Sequence, residues 1–190
     1  MPQLKDIAHT FTGQTFRSRV EDDPLGECSV IQVKDLSADY NKLEHSPHRM
    51  SLNNVSDGQI LRKKDILMLT KNNKNRALLY EATFQKAIAV SVFTIIRITN
   101  SDISPAYLTW YLNSKTAQDY FASNRVGTYT QNLPKNSLEL LEIPVPPKMR
   151  QEAIVQLIEQ YEAYKEIQLE YESNINLLID TILKKQLNNQ

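Results

Sequence analysis

The sequence predicts an α+β fold: a mixed sheet with packed helices, followed by a long C-terminal helix of coiled-coil character. Three observations lead there. Short β-branched runs fill the middle of the chain, a well-capped amphipathic segment follows them, and residues 151–187 carry an apolar repeat of seven. The expected division is a globular domain over 1–147 and a separate helix over 148–190.

Taken in order, Asp6–Phe11 reads as a short helix ending before Gly13, and GQTFRSRVEDDPLG as a polar loop closed by Pro24 and Gly26. SVIQV (29–33) is short and β-branched, hence a strand. The next two dozen residues are polar and rich in turn formers. QILRKKDILMLT, RALLYEAT and KAIAVSVFTIIRI then supply core strands, the last being the most apolar stretch of the chain. A helix opens at Ser104, with Pro105 at its first position, and runs through AYLTWYLNSKTAQDYFASN. Tyr107, Leu108, Tyr111, Leu112 and Phe121 fall on one stripe, which reads as a packing face rather than a base-stacking surface. LELLEIPVPP reads as a strand that Pro144, Pro146 and Pro147 stop and stiffen.

In the last segment Ile154, Tyr161, Gln168, Ile175 and Ile182 recur every seven residues, and Leu157, Tyr164, Tyr171 and Leu178 form the second column. A helix of this length spans about 55 Å, more than its own domain can cover, so it needs another helix. Gln168 interrupts the seam near its midpoint, where a polar residue fixes register at some cost in stability.

Composition narrows the function. Hydrophobic residues make up 41% and charged residues 23% of the 190, and no apolar run approaches the ~20 residues of a membrane span. The start, MPQLKDIAHT, has no apolar export segment, and Cys28 is the only cysteine, so a reducing cytoplasm is the expected compartment. The zero net charge conceals an asymmetry: residues 1–150 hold 19 Lys and Arg against 15 Asp and Glu, whereas 151–190 hold 3 against 7. Within residues 61–76 the cations Arg62, Lys63, Lys64, Lys71, Lys74 and Arg76 face Asp65 alone, which suits a polyanionic partner.

The signatures of chemistry are missing. The glycines at 13, 26, 58 and 127 are too scattered for a phosphate-cradling loop. VPP (145–147) is followed by Lys148, not by the aromatic residue that amino-methyltransferases place after Asn/Asp-Pro-Pro. His45, His48 and Glu44 lack further ligands to complete a metal site. The expectation is a binder with neither cofactor nor metal.

Seven stretches, in order, resemble one family: LKDIAHTFTGQTF, SVIQVKDLS, LRKKDILMLTKNNKNRALLYE, AIAVSVFTIIRI, SPAYLTWYLNSKTAQDYF, GTYTQNL and LLEIPVPPKMRQEAIVQLI. Together they are similar to the target-recognition domain and spacer helix of the specificity subunits of type I restriction-modification systems. The resemblance implies a non-catalytic DNA-reading role for 1–147 and a spacing and dimerisation role for 148–190. A full-length subunit of that family carries two such domains and two helices paired antiparallel, so this chain resembles a half-subunit and a homodimer is implied. Implied partners are double-stranded DNA, a methyltransferase subunit that supplies adenine methylation, and a motor-nuclease (restriction) subunit. Identical readers related by a dyad imply an inverted-repeat target.

On that reading, Lys71, Lys74 and Arg76 pair phosphate-seeking cations with the amides of Asn72, Asn73 and Asn75, which can bond adenine. Arg125, Thr128, Tyr129 and Gln131 surround Gly127 in a second loop, Arg17 and Arg19 follow Gly13 in a third, and His48 with Arg49 offer a fourth. Arg62, Lys63 and Lys64 either touch phosphate or turn the chain. The dimer seam is Ile154, Leu157, Tyr161, Tyr164, Gln168, Tyr171, Ile175, Leu178 and Ile182. The competing reading is a protein-interaction module that uses the terminal helix and reads no DNA.

Overall fold

The computed structural model describes residues 1–51, 55–71, 74–128 and 131–188. It divides into two compact units, Met1–Gln151 and Glu152–Gln190. The first is a mixed α+β body, and the described residues of the second lie on one long helix, the class that the sequence predicts.

The first unit opens with α1 (Leu4–Ile7) and β1 (Ala8–Thr12). The Asp6–Phe11 helix expected from the sequence is therefore corrected. A capping box between Gln3 and Asp6 closes one helical turn, and Ala8 already adopts extended backbone as it enters the sheet. Strands β2 (Cys28–Ile31), β3 (His48–Met50), β4 (Ile66–Leu69), β5 (Ala77–Leu79), β6 (Ala87–Ala89) and β7 (Phe93–Ile98) follow. One sheet has the order β1-β7-β4-β5, antiparallel throughout; the other has the order β3-β2-β6, with β2 and β6 parallel.

Strand β4 shows why the core is double. Its side chains alternate, so Ile66 and Met68 pack with Leu108, Leu112, Phe121 and Leu138 on one face. Leu67 and Leu69 pack with Ile31, Tyr80, Phe93 and Ile95 on the other. A strand covered on both faces reads as a continuous apolar run, and ILML does. The outer face of the second sheet carries a smaller cluster of Cys28, Val30 and Ile88, joined by Phe16, Val20 and Met50.

Three further expectations are revised. KAIAVSVFTIIRI is not one strand: a turn closed by Phe93 N–H donating to the Val90 carbonyl sends β6 and β7 into different sheets. Gly13 approaches this turn so closely that an added Cβ would lie 2.4 Å from the Ala89 oxygen. QILRKKDILMLT contributes only Ile66–Leu69 as strand, because Arg62–Asp65 forms a turn with Lys64 at φ 74°. LELLEIPVPP is not a strand either; α4 (Lys135–Glu139) occupies its start, with Leu138 and Leu141 buried at helical rather than alternate spacing.

The segment expected as one helix from Ser104 is two, α2 (Pro105–Asn113) and α3 (Lys115–Asn124). Ser114 ends the first in extended backbone and caps the second, its Oγ accepting from Ala117 N–H. At the break Asn113 acts as a peptide stand-in on the sheet edge: its Oδ1 accepts from Ala77 N–H (2.9 Å) and its Nδ2 donates to the Ala77 carbonyl (2.8 Å). Tyr107, Leu108, Leu112 and Phe121 are buried, as their stripe predicts.

Helix α5 covers Lys148–Asn188, about 60 Å at 1.5 Å per residue. Its first turn belongs to the first unit, where the buried Gln151 accepts from Ser104 N–H and donates to the carbonyls of Asp102 and Pro146. Beyond that turn, Leu157, Tyr161, Tyr164, Tyr171, Ile175, Leu178 and Ile182 are all exposed, while Ile154 is half-buried. No helix among the described residues is long and apolar enough to cross a membrane.

Candidate nucleic-acid interface

The antiparallel sheet has two ends, and one of them gathers loops. In the register of β4 against β7, Leu69 faces Phe93, so the chain leaving β4 meets the chain entering β7. Thr70 and Lys71 both donate from their backbone N–H to the Val92 carbonyl, and Thr70 Oγ1 bridges to Val92 and Thr94. At the same end β1 leaves through Gly13, whose N–H donates to the Phe93 carbonyl. The 125–133 segment arrives there too, with Leu133 N–H donating to the Thr70 carbonyl at 2.8 Å. Loops 13–19, 71–76 and 125–132 therefore start or end within a few residues of one another.

Lys71, Lys74, Arg76, Arg17, Arg19, Thr128 and Gln131 are exposed, and Arg125 is half-buried. Asn72, Asn73 and Tyr129 lie outside the described residues. The loop after Arg125 is closed by Val126 and Asn132, which exchange two backbone bonds of 2.9 Å. Gly127 has φ 108°, a conformation that an L side chain would strain. Lys74 Nζ stands 5.4 Å from the centre of the Tyr40 ring, which brings the 37–42 turn to the same surface. Sequence reading passed over Tyr40. Its signal is the S-x-D-Y-N turn chemistry, in which Ser37 Oγ accepts from Asn41 and Lys42 N–H and holds Tyr40 at φ 58°.

Asn75 needs correction as a base-reading residue. It is completely buried. Its Nδ2 donates to the Leu69 carbonyl at 3.0 Å, its Oδ1 accepts from Arg125 Nε at 2.7 Å, and its own carbonyl accepts from Gln118 Nε2 at 2.6 Å. His48, on β3, is committed to the protein as well: Nε2 lies 2.6 Å from Lys34 Nζ and Nδ1 lies 3.1 Å from the Val20 carbonyl. A lysine ammonium can only donate, so Nε2 accepts and Nδ1–H donates. Arg49 beside it is exposed, donating from NH1 to the Pro24 carbonyl at 3.2 Å.

Arg62, Lys63 and Lys64 emerge at the opposite end of β4, about 13 Å away along the strand. They line an open hollow with Asp65, Arg97, Asn100 and Pro105. Asp65 is buried and clasped by Arg97 through two bonds of 2.8 and 2.6 Å. That partnership holds the Arg97 guanidinium above its ordinary pKa. Burial pushes the Cys28 thiol up, as befits an inert core cysteine. No group of three or more His, Cys, Asp or Glu side chains among the described residues is placed to hold a metal ion.

A family model described as "Type I restriction modification DNA specificity domain" matches residues 1–178. The chain belongs to that family. Solved structures share the fold of this specificity domain. A chain of a type I R-M system, from work on its complex assembly and conformational transition, has a TM-score of 0.67 at 18% identity and covers 93% of this chain. The S subunit of a type I restriction-modification system from M. genitalium has a TM-score of 0.55 at 15% identity, covering 85%. The HsdS subunit from Thermoanaerobacter tengcongensis has 0.57 at 16%, also covering 85%. The specificity domain spans only 42%, 38% and 37% of those three chains. No curated protein matches the chain.

Proposed function

We propose that this specificity domain reads one half of a bipartite DNA target and that two copies, joined through α5, read both halves. The observation that carries the reading is the meeting of loops 71–76 and 125–132 at one sheet end, beside the start of loop 13–19, with Lys71, Lys74 and Arg76 exposed there. Cations there attract the phosphate backbone, and amides and guanidinium groups read base edges. Residues 1–147 act as the reader and 148–190 as the spacer. The exposed seam of α5 supplies the dimer contact, since an isolated helix with large apolar side chains in water gains by burying them against a second helix. Antiparallel pairing of two such helices places the readers at a set separation on the duplex. Methyl transfer and cleavage belong to partner subunits, a methyltransferase and a motor-nuclease, so the chain selects the site without performing chemistry.

Co-expression with a type I methyltransferase subunit, followed by mapping of methylated adenines, tests this. The expected result is methylation within an inverted repeat of fixed spacing that depends on this chain. The exposed seam equally favours a protein-interaction module; co-purification of the two subunits with no sequence preference in the methylated DNA would establish that reading instead.

A further inference from the structure

The bond between Asn75 and Arg125 joins two of the converging loops across 50 positions of sequence, and its chemistry is asymmetric. Asn75 is enclosed and held at both ends of its amide, by the Leu69 carbonyl and by Arg125, while Gln118 holds its backbone. Arg125 terminates α3 in extended backbone and is half-buried at the mouth of the loop that Val126 and Asn132 close. A guanidinium has five N–H donors; Asn75 engages the one on Nε, and the other four belong to the two terminal nitrogens. Those two nitrogens form the end-on fork that matches O6 and N7 of guanine in the major groove.

Holding an arginine by its Nε removes rotamer freedom before any ligand arrives. A phosphate contact made by a flexible ammonium needs no such orientation, and the exposed Lys71 and Lys74 are suited to it. A base edge does need it, because its acceptors lie at fixed positions. We propose that Asn75 is a positioning residue that holds Arg125 end-on to read a guanine in each half-site. The inference rests on the DNA-reading function proposed above.

Selection from randomised duplex DNA by the full chain at low ionic strength tests it. Wild type is expected to enrich a motif with one guanine per half-site that Arg125→Lys, which keeps charge and loses the fork, no longer prefers. Asn75→Ala is expected to lose the same preference, roughly tenfold or more at that position and little elsewhere. Adding Asn75→Ala to Arg125→Lys should then cause no further loss there, a non-additivity that a merely structural asparagine would not produce. Thermal melting of each variant checks folding; if Asn75→Ala does not fold, Arg125→Lys alone decides. An enriched motif whose guanines survive Arg125→Lys, or a loss spread evenly over all positions, overturns the inference and leaves DNA reading intact. Failure of wild type to enrich any motif overturns DNA reading itself, and the inference with it.

Discussion

At the scale of single residues, the strongest polar constraint is the clasp of Asp65 by Arg97. Asp65 also accepts from Arg62 N–H at 2.7 Å, and Arg97 donates to the Ile60 carbonyl while covering the Phe11 ring. Removing one partner strands the other charge, so Asp65→Ala is expected to destabilise by about 3 kcal/mol, measured by urea unfolding. Asp35 behaves differently. Burial raises its carboxyl above the ordinary value, against the Gln32 N–H and Lys34, which pull it down. A carboxyl with a higher pKa in the folded state binds its proton more tightly there. Its contribution to stability is therefore largest below the unfolded value of about 3.9 and declines as pH rises through the folded value. Asp35→Asn keeps an acceptor for Gln32 and removes the charge. Melting scans are expected to show a higher Tm than wild type at neutral pH and no gain in acid.

At the scale of elements, α5 makes the sharpest demand. Leu157→Asp with Leu178→Asp puts two carboxylates in the proposed seam, and sedimentation should show the dimer dissociating at concentrations roughly a hundredfold higher or more. Gln168→Leu should act in the opposite sense, tightening association while loosening register. The long helix was legible because a repeat of seven is a one-dimensional signal. Sheet membership was not, since residues 87–98 are mostly apolar and their division depends on the Val90–Phe93 turn and on Gly13, more than 70 positions earlier. Strand β3 was missed inside a polar segment because its backbone is recruited by β2 while its own side chains stay partly wet. The loops around 71–76 and 125–132 could be named from their residue types, but not the fate of each amide. Asn75 looks in sequence like Asn72 and Asn73, and only the neighbouring Leu69 and Arg125 make it interior.

At the scale of the whole molecule, the proposed function predicts two separable responses to DNA. Lys74→Ala should weaken every duplex alike and lower the slope of log affinity against log salt by about one. Gln131→Ala should instead relax one base position by ~1–3 kcal/mol and leave the slope unchanged. Salt titrations over matched and mismatched duplexes distinguish these outcomes; identical behaviour of both variants would contradict the division of labour between backbone and base contacts.

Enclosure of β4 by a core on each face has a practical consequence for deuterium uptake. The amides of Ile66 and Leu67 belong to a strand paired on both edges and buried on both faces, so their exchange is expected to be among the slowest in the body. Just beyond them in sequence, in an outer peptide, the side chains of Lys71, Lys74 and Arg76 face water. Mass spectrometry of that neighbourhood thus carries its own internal clock, and slowing confined to the outer peptide upon adding duplex would report occupancy undistorted by any change in global stability.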